Sequence, residues 1–256
     1  MNQLLDKIRS GQKVIGVTIS AWDFPDTPLV LKACGMDFFM IDSEHGDVDF
    51  VRACAMTSIA RAEGITILAR VPSTDRGHIL KYVEIGVDGI VLPNCGCRED
   101  AQALVRHAKY APLGSRGVAL IKAHSRYNNE MDPVKHMKES NERTTLVVLI
   151  ETRQGVENIE EIMSVDGIDI AFIGPNDLSQ DLGVMGQYGH PDFMAAARKV
   201  KDACDKHGKY WGINAANNIE KLSEWHDMGA ALNFWGSELS IFLAAAKAGV
   251  RRYKEV

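Results

Sequence analysis

Eight short apolar runs recur along the chain, and each is followed by a segment with helical periodicity. This alternation constrains the fold more than any other feature of the sequence. Most runs are apolar throughout, which is typical of strands covered on both faces in a parallel sheet. The predicted strands are Val14–Ser20, Phe38–Asp42, Ile65–Arg70, Gly89–Pro93, Leu146–Glu151, Asp169–Gly174, Tyr210–Asn214 and Ala231–Gly236.

The spacing of these runs favours one repeated strand–helix unit. Five of the seven steps between strand starts span 21 to 27 residues. Eight such units in 256 residues predict a single-domain (β/α)₈ TIM barrel over residues 1–256. An open, doubly wound sheet is the alternative that the same alternation permits. Five strands follow a glycine that would end the preceding helix in the left-handed conformation, namely Gly35, Gly64, Gly86, Gly167 and Gly208.

Two longer steps contain irregular segments, Leu113–Thr145 and Gln180–Pro191. Loops of this length in a compact domain are usually functional or lie at an interface. The first segment is polar, and we expect its basic residues to form a solvated or subunit-facing loop. Those residues are Arg116, Lys122, His124 and Arg126.

Composition and charge narrow the function classes. The net charge is −5, from 29 Lys and Arg against 34 Asp and Glu, so the basic surface of a nucleic-acid binder is not expected. No apolar run approaches the ~20 residues of a membrane helix. The five cysteines are an odd number at irregular spacing, so a disulfide framework is not expected. Charges interrupt the apolar residues of the N-terminus, unlike in a signal peptide. We therefore expect a reduced, cytoplasmic protein that binds neither nucleic acid nor membrane.

Polar residues follow the predicted strands, and in a barrel this rim holds the active site. Glu151 and Asp177 follow neighbouring strands, so their carboxylates would face each other across one groove. Two such carboxylates, with room for water and substrate oxygens, suit Mg²⁺ or Mn²⁺. The alternative is that Asp177 caps a helix N-terminus.

His45 follows the second strand and lies close to Asp42 in the sequence. A carboxylate beside an imidazole orients the ring and raises its basicity, which suits a general base near neutral pH. The alternative is a histidine in a surface loop. The other seven histidines are predicted to be surface or capping residues: His78, His107, His124, His136, His190, His207 and His226.

Arg70 ends the third strand, where a guanidinium pointing into a barrel mouth needs an anionic partner. That partner could be a substrate carboxylate or a developing enolate. A structural salt bridge to Glu84 or Glu151 is the alternative.

A turn that begins at Gly174 leads from the sixth strand into a helix. The backbone N–H groups of Asn176 and Asp177 are free at such a helix start, where a carboxylate or phosphate can bind.

Five motifs in a fixed order make the chain resemble the HpcH/HpaI aldolases, which are metal-dependent (class II) pyruvate aldolases. Order and spacing hold from about residue 14 to residue 245, and the last two motifs together are quite specific. The motifs are I-D-S-E-H-G at 41–46, R-V-P at 70–72, P-L-G-S-R-G at 112–117, I-E-T-R at 150–153 and F-I-G-P-N-D-L-S at 172–179.

The resemblance implies a TIM barrel assembled as a hexamer of paired trimers, with the C-terminal helix swapped between neighbours. It implies reversible aldol cleavage of a 4-hydroxy-2-oxo carboxylate to pyruvate and an aldehyde, through a metal-stabilised pyruvate enolate. The resemblance also implies that Glu151 and Asp177 hold a divalent metal (Mg²⁺, Mn²⁺ or Co²⁺), and that His45 is the base with Asp42 behind it. Arg70 would stabilise the enolate oxygen. In the turn Gly174–Asp177, the amides of Asn176 and Asp177 would hold the pyruvate carboxylate.

The chain departs from the family pattern at three places that would border the aldehyde side. Glu84 stands at a catalytic acidic position in the third helix where Asp is common, and the segments Pro93–Gly96 and Trp235–Glu238 replace Pro-Met-Val and Val-Gly-Ser-Asp. We therefore expect the choice of aldehyde to differ more than the catalytic steps.

Three other functions stay open from the sequence. A Schiff-base aldolase would need a lysine in the barrel mouth, and Lys122 is the lysine best placed by an apolar run. A citramalyl- or malyl-CoA-lyase-like enzyme would also use enolate chemistry, although no basic segment for an adenine nucleotide is evident. A non-catalytic barrel could bind a small oxo acid.

Overall fold

The strands form a closed, parallel barrel in which each strand pairs with the next and β8 pairs with β1. The structure is a computed structural model and describes residues 3–215 and 217–255. Closure confirms the predicted barrel and excludes the open sheet, and each predicted strand end is correct to within one residue. The strands are β1 Ile15–Ile19, β2 Phe38–Asp42, β3 Thr66–Arg70, β4 Gly89–Leu92, β5 Thr145–Ile150, β6 Ile170–Ile173, β7 Tyr210–Asn214 and β8 Leu232–Ser237.

Helices connect the strands and form the outer layer. Gly64 and Gly86 end α3 and α4 with φ of 72° and 92°, the left-handed conformation predicted for them. The helices are α1 Gln3–Arg9, α2 Thr27–Ala33, α3 Phe50–Glu63, α4 Arg76–Ile85, α5 Arg98–Ala108, α6 Pro133–Arg143, α7 Arg153–Glu157, α8 Ile159–Met163, α9 Pro175–Asp181, α10 Pro191–Lys206, α11 Ile219–Asp227 and α12 Glu238–Lys254. None of the helices in the described ranges is long and apolar enough to cross a membrane.

The interior of the barrel is packed with large side chains and closed at one end. Phe234 contacts Phe38 and Phe172 edge-on, with ring centroids 4.9 and 4.8 Å apart. Leu4 and Leu5 of α1 belong to the same buried cluster, so α1 covers the end where the strands begin. Apolar packing therefore fills this end, and the polar strand exits lie at the opposite rim.

The segment Leu113–Thr145 is more ordered and more buried than the sequence suggested. It contains α6, which begins after the capping residue Asp132, and a 3₁₀ turn at Ala123–Ser125. The prediction of a solvated basic loop is wrong for Arg116 and His124, which are 4% and 2% exposed. Both side chains reach the same distant carboxylate on α4, a partner that the local sequence does not reveal.

That carboxylate belongs to Glu84, which holds the inserted segment against the barrel. Arg116 Nη2 lies 3.3 Å from Glu84 Oε1, and the guanidinium stacks over Tyr110 at 4.5 Å. His124 Nε2 lies 2.9 Å from the carbonyl oxygen of Ala119. Burial lowers the pKa of His124 to about 4, so the ring is neutral at pH 7 and can donate to that carbonyl.

Candidate active site

A cavity of about 350 Å³ opens at the rim where the strands end. Apolar side chains of the strands, among them Met40, Leu149 and Phe172, form its floor. A second cavity of about 260 Å³ adjoins it, and His45, Glu151 and Asp177 line both. The first cavity is also lined by Arg70, Gly174, Asn176, Asn214, Asn217, Gly236, Ser237 and Ser240, and the second by Glu44, Asn94, Thr152, Gln180 and Asp181.

Glu151 follows β5 directly and is held in place by its neighbours on both sides. Its Oε1 accepts a hydrogen bond of 2.7 Å from the backbone N–H of Asn94. A Cβ at position 174 would lie 2.6 Å from Glu151 Oε2, so this carboxylate occupies space that only a glycine leaves open. The helix α9 has Gly174 as its N-cap residue, and Asp177 lies inside its first turn. The alternative of Asp177 as an N-cap is therefore wrong.

The carboxylates at this rim repel one another. Burial raises the pKa of Glu151 to about 7, and the charges of Asp177 and Glu44 add to the rise, while the amide of Asn94 and the charge of Arg70 oppose it. Burial also raises the pKa of Glu44. A divalent cation between Glu151 and Asp177 would supply the missing positive charge, and oxygen ligands are those that Mg²⁺ and Mn²⁺ prefer. The donor set therefore fits such an ion.

The protein would supply only part of the coordination sphere. Across residues 3–215 and 217–255, no three His, Cys, Asp or Glu side chains converge as a metal-binding group. Two carboxylates leave the remaining positions of a hard, oxygen-preferring cation to water and to the substrate. This arrangement suits an ion that binds a reacting molecule.

Arg70 is bound to the carboxylates of the second strand exit. Its Nε and Nη2 donate to Asp42 Oδ1 and Oδ2 at 2.9 and 2.5 Å, and Nη1 lies 3.0 Å from Glu44 Oε2. Burial alone would raise the pKa of Asp42, but the hydrogen bonds and charge of Arg70 outweigh it and lower that pKa. The alternative of a salt bridge from Arg70 to Glu84 or Glu151 is wrong, since Asp42 and Glu44 are its ion-pair partners.

The loop that carries His45 is fixed by its own backbone. Asp42 Oδ1 accepts hydrogen bonds from the N–H groups of Glu44 and His45 at 3.0 and 3.2 Å. The N–H of Ser43 donates to the carbonyl oxygen of Arg70 at 3.0 Å. Asp42 was expected to orient the imidazole. The hydrogen bonds found for its carboxylate instead go to Arg70 and to this backbone, so Asp42 shapes the loop while His45 lines both cavities.

Two residues considered from the sequence lie elsewhere. Glu84 and Lys122 line a separate cavity with Phe50 and Tyr127, and neither lines the two rim cavities. Within this chain, Glu84 therefore lies outside the lining of the two rim cavities, and its position does not support the catalytic role that the resemblance implies. Lys122 is also exposed, which removes the structural basis for a Schiff-base lysine in the mouth.

Several lining residues were missed at the sequence level. Asn214 is one of them; it ends β7, so its position at a strand exit was the signal that could have identified it. Asn217 and Ser240 depend on tertiary contacts, because Ser240 Oγ in the first turn of α12 donates to Asn217 Oδ1 in the turn after β7 at 2.9 Å. Of the residues that depart from the family pattern, Asn94 lines the second cavity, while the buried Glu238 lines neither.

A parallel (β/α)₈ barrel whose C-terminal rim has a cavity lined by two carboxylates, an arginine and a histidine has the form of a TIM-barrel enzyme. Residues 25–245 match the family model of the HpcH/HpaI aldolase/citrate lyase family. The chain therefore belongs to this family, and it is a carbon–carbon lyase.

Individual relatives agree in sequence and in fold. The chain is 29% identical over 247 residues to a 5-keto-4-deoxy-D-glucarate aldolase of Escherichia coli O6:H1, covering 94% of both chains. An HpcH/HpaI aldolase from Desulfitobacterium hafniense DCB-2 superposes with a TM-score of 0.95 at 30% identity, covering 100% of this chain and 98% of the other. A citrate lyase beta subunit from M. tuberculosis, complexed with oxaloacetate and magnesium, has a TM-score of 0.57 at 14% identity over 91% and 94%, which indicates the fold alone.

Proposed function

We propose that the chain catalyses reversible aldol cleavage of a 4-hydroxy-2-oxo carboxylate to pyruvate and an aldehyde. The observation that carries the proposal is the rim cavity lined by Glu151, Asp177, Arg70 and His45. The curated relatives are 5-keto-4-deoxy-D-glucarate aldolases, which supports this reaction class.

Each of these residues has a role that its position supports. A divalent metal (Mg²⁺, Mn²⁺ or Co²⁺) on Glu151 and Asp177 would act as a Lewis acid toward the 2-oxo group. His45 takes the proton from the C4 hydroxyl as the C3–C4 bond breaks. Arg70 stabilises the enolate oxygen that develops on pyruvate.

The pyruvate half and the aldehyde half occupy different cavities in this proposal. The first cavity is lined by Arg70 and by the turn Gly174–Asp177, and the backbone amides of Asn176 and Asp177 in that turn hold the pyruvate carboxylate. The aldehyde half extends into the second cavity. Since Asn94 lines that cavity and departs from the family pattern, it is a candidate for selecting the aldehyde.

Two alternatives make different demands on the same site. A CoA-dependent lyase needs cations for a nucleotide phosphate, whereas Arg70 is the one Lys or Arg among the described residues of the rim cavity and is paired with Asp42. A non-catalytic oxo-acid binder needs no base beside the carboxylates. A measurement of turnover therefore distinguishes the aldolase, which has turnover, from the binding barrel, which has none.

The deciding experiment offers pyruvate and a panel of aldehydes in the presence of Mg²⁺, Mn²⁺ or Co²⁺. We expect at least one aldehyde to give a 4-hydroxy-2-oxo acid, detected by mass spectrometry, and no product with His45→Ala. Binding of pyruvate without any product or proton exchange would contradict the proposal and favour the binding barrel.

We also propose a homo-oligomer, a trimer or hexamer, in which α12 packs against a neighbouring subunit and is swapped. Of the seventeen residues of α12, Glu238 is the buried one. The helix exposes Leu239, Phe242 and Leu243, and the ring of Phe242 lies 6.4 Å from that of Trp22. An apolar face of this kind on a surface helix supports an interface.

Charge on this face is expected to dissociate the oligomer. Phe242→Asp with Leu243→Asp should convert a trimer or hexamer to monomers at micromolar concentration, because unpaired charges in an apolar interface are costly. Light scattering after size exclusion measures the mass, with Lys199→Asp on α10 as the control. An unchanged mass would exclude α12 as the interface.

We further place the protein in the cytoplasm. Its five cysteines are all free, which suits a reducing compartment.

A further inference from the structure

The carboxylate of Glu238 is buried at the start of α12 and binds the loop that follows β1. Its Oε1 accepts hydrogen bonds from the backbone N–H groups of Ser20, Ala21 and Trp22 at 2.9, 2.6 and 3.2 Å. The hydroxyl of Ser20 lies 3.2 and 3.3 Å from the two carboxylate oxygens. Three consecutive backbone N–H groups that converge on one anion fix the conformation of their segment.

That loop in turn supports the loop that carries His45. The carbonyl oxygen of Ser20 accepts a hydrogen bond of 2.7 Å from the N–H of Asp47. A Cβ at Gly46 would lie 2.8 Å from the same oxygen and 2.3 Å from the carbonyl oxygen of Asp42. Gly46 is therefore packed tightly between the backbone at Ser20 and the backbone at Asp42. If Ser20 moved, the adjoining residue His45 would have to move with it.

Glu238 itself lies outside the described lining of the two rim cavities. Its next neighbour Ser237 lines the first cavity, so the carboxylate is close to the site without facing substrate. Its carboxylate binds the backbone N–H groups of residues 20–22 and the hydroxyl of Ser20, so an effect on the reaction would pass through this loop.

We propose that Glu238 is a positioning residue that, by binding the amides of residues 20–22, sets the position of His45 for the aldol reaction. This inference rests on the proposed function for its kinetic consequence, but its structural consequence is independent of it. An aspartate side chain at this position in this chain would be shorter by one carbon–carbon bond, ~1.5 Å, so we expect Glu238→Asp to bind fewer of the three amides.

The test compares Glu238→Gln and Glu238→Asp with a matched control. Asp37→Asn is that control, since Asp37 Oδ2 accepts the N–H of Ile15 at 2.9 Å at the opposite end of β1. We expect both Glu238 variants to lower kcat by on the order of 10- to 100-fold with KM for the oxo acid within about twofold, as small misplacements of a reacting group do. Asp37→Asn should lower the melting temperature without this loss of kcat.

A second readout does not depend on activity. The imidazole NMR signal of His45, assigned with His45→Asn, should be single in the wild type and broadened or shifted in Glu238→Gln, and unaltered in Asp37→Asn. An unchanged His45 signal and unchanged kcat, with only a lower melting temperature, would overturn the inference. A wild type without turnover would contradict the proposed function, and the His45 signal would still decide the role of Glu238.

Discussion

Protein treated with EDTA is expected to lose aldol cleavage and to recover it when Mg²⁺, Mn²⁺ or Co²⁺ is added. The reason is that Glu151 and Asp177 repel each other, and a cation between them would remove this repulsion. Burial raises the pKa of Glu151 to about 7, and the charge of Asp177 adds to the rise. Glu151→Ala or Asp177→Ala should weaken Mn²⁺ binding by on the order of 100-fold, since each removes one of two protein ligands. Calorimetric titration with Mn²⁺ measures the affinity directly.

The same titration separates the base from the ligands. His45→Ala should bind Mn²⁺ as tightly as the wild type and still lack aldol turnover. Glu160→Gln is the control for a surface carboxylate, because Glu160 pairs with Lys206 away from the rim. Equal Mn²⁺ affinity in all variants would contradict the ligand assignment. Full activity in EDTA, with a pyruvate adduct trapped by borohydride, would instead support a lysine mechanism.

Arg70→Ala is expected to slow the exchange of pyruvate methyl protons with deuterated water by on the order of 10²-fold or more, the usual loss for one oxyanion-stabilising donor. Enolate formation from pyruvate alone needs the same stabilisation as aldol cleavage, so no aldehyde is required. Arg70→Lys should recover little, because an ammonium group cannot reproduce the planar fork that binds Asp42 through two nitrogens. NMR of the pyruvate methyl signal follows the exchange.

The rival role for Arg70 is purely structural, through its pairs with Asp42 and Glu44. In that case Arg70→Ala would lower the melting temperature while exchange per folded molecule stayed near normal. Glu44→Gln serves as the control, because it weakens an ion pair of the same guanidinium from the other side and leaves the guanidinium in place. Thermal melting alongside the exchange measurement distinguishes loss of structure from loss of catalysis.

The strand exits illustrate how much of the site the sequence could predict. Each apolar run ends where its strand leaves the barrel, so Glu151, Arg70 and His45 could be placed at one rim from their positions alone. The protein partner of Arg70 could not be predicted in this way, because the sequence offered Glu84 and Glu151 and gave no means of recognising Asp42. Only the pairing of β2 with β3, which puts Asp42 opposite Arg70, identifies this partner.

The sequence by itself determined the eight alternating strand–helix units, because strand and helix periodicities and helix-ending glycines are local properties of the chain, and closure of the sheet excluded the open alternative. It also placed Glu151, Arg70 and His45 at the strand exits, whereas Asn217 and Ser240 of the cavity lining were not found from it. The tertiary structure alone decided that Arg116 and His124 are buried against Glu84, and that Glu238 binds the amides of residues 20–22 from 218 residues away. Burial and hydrogen-bond partners depend on contacts between distant segments, and local composition carries no record of them.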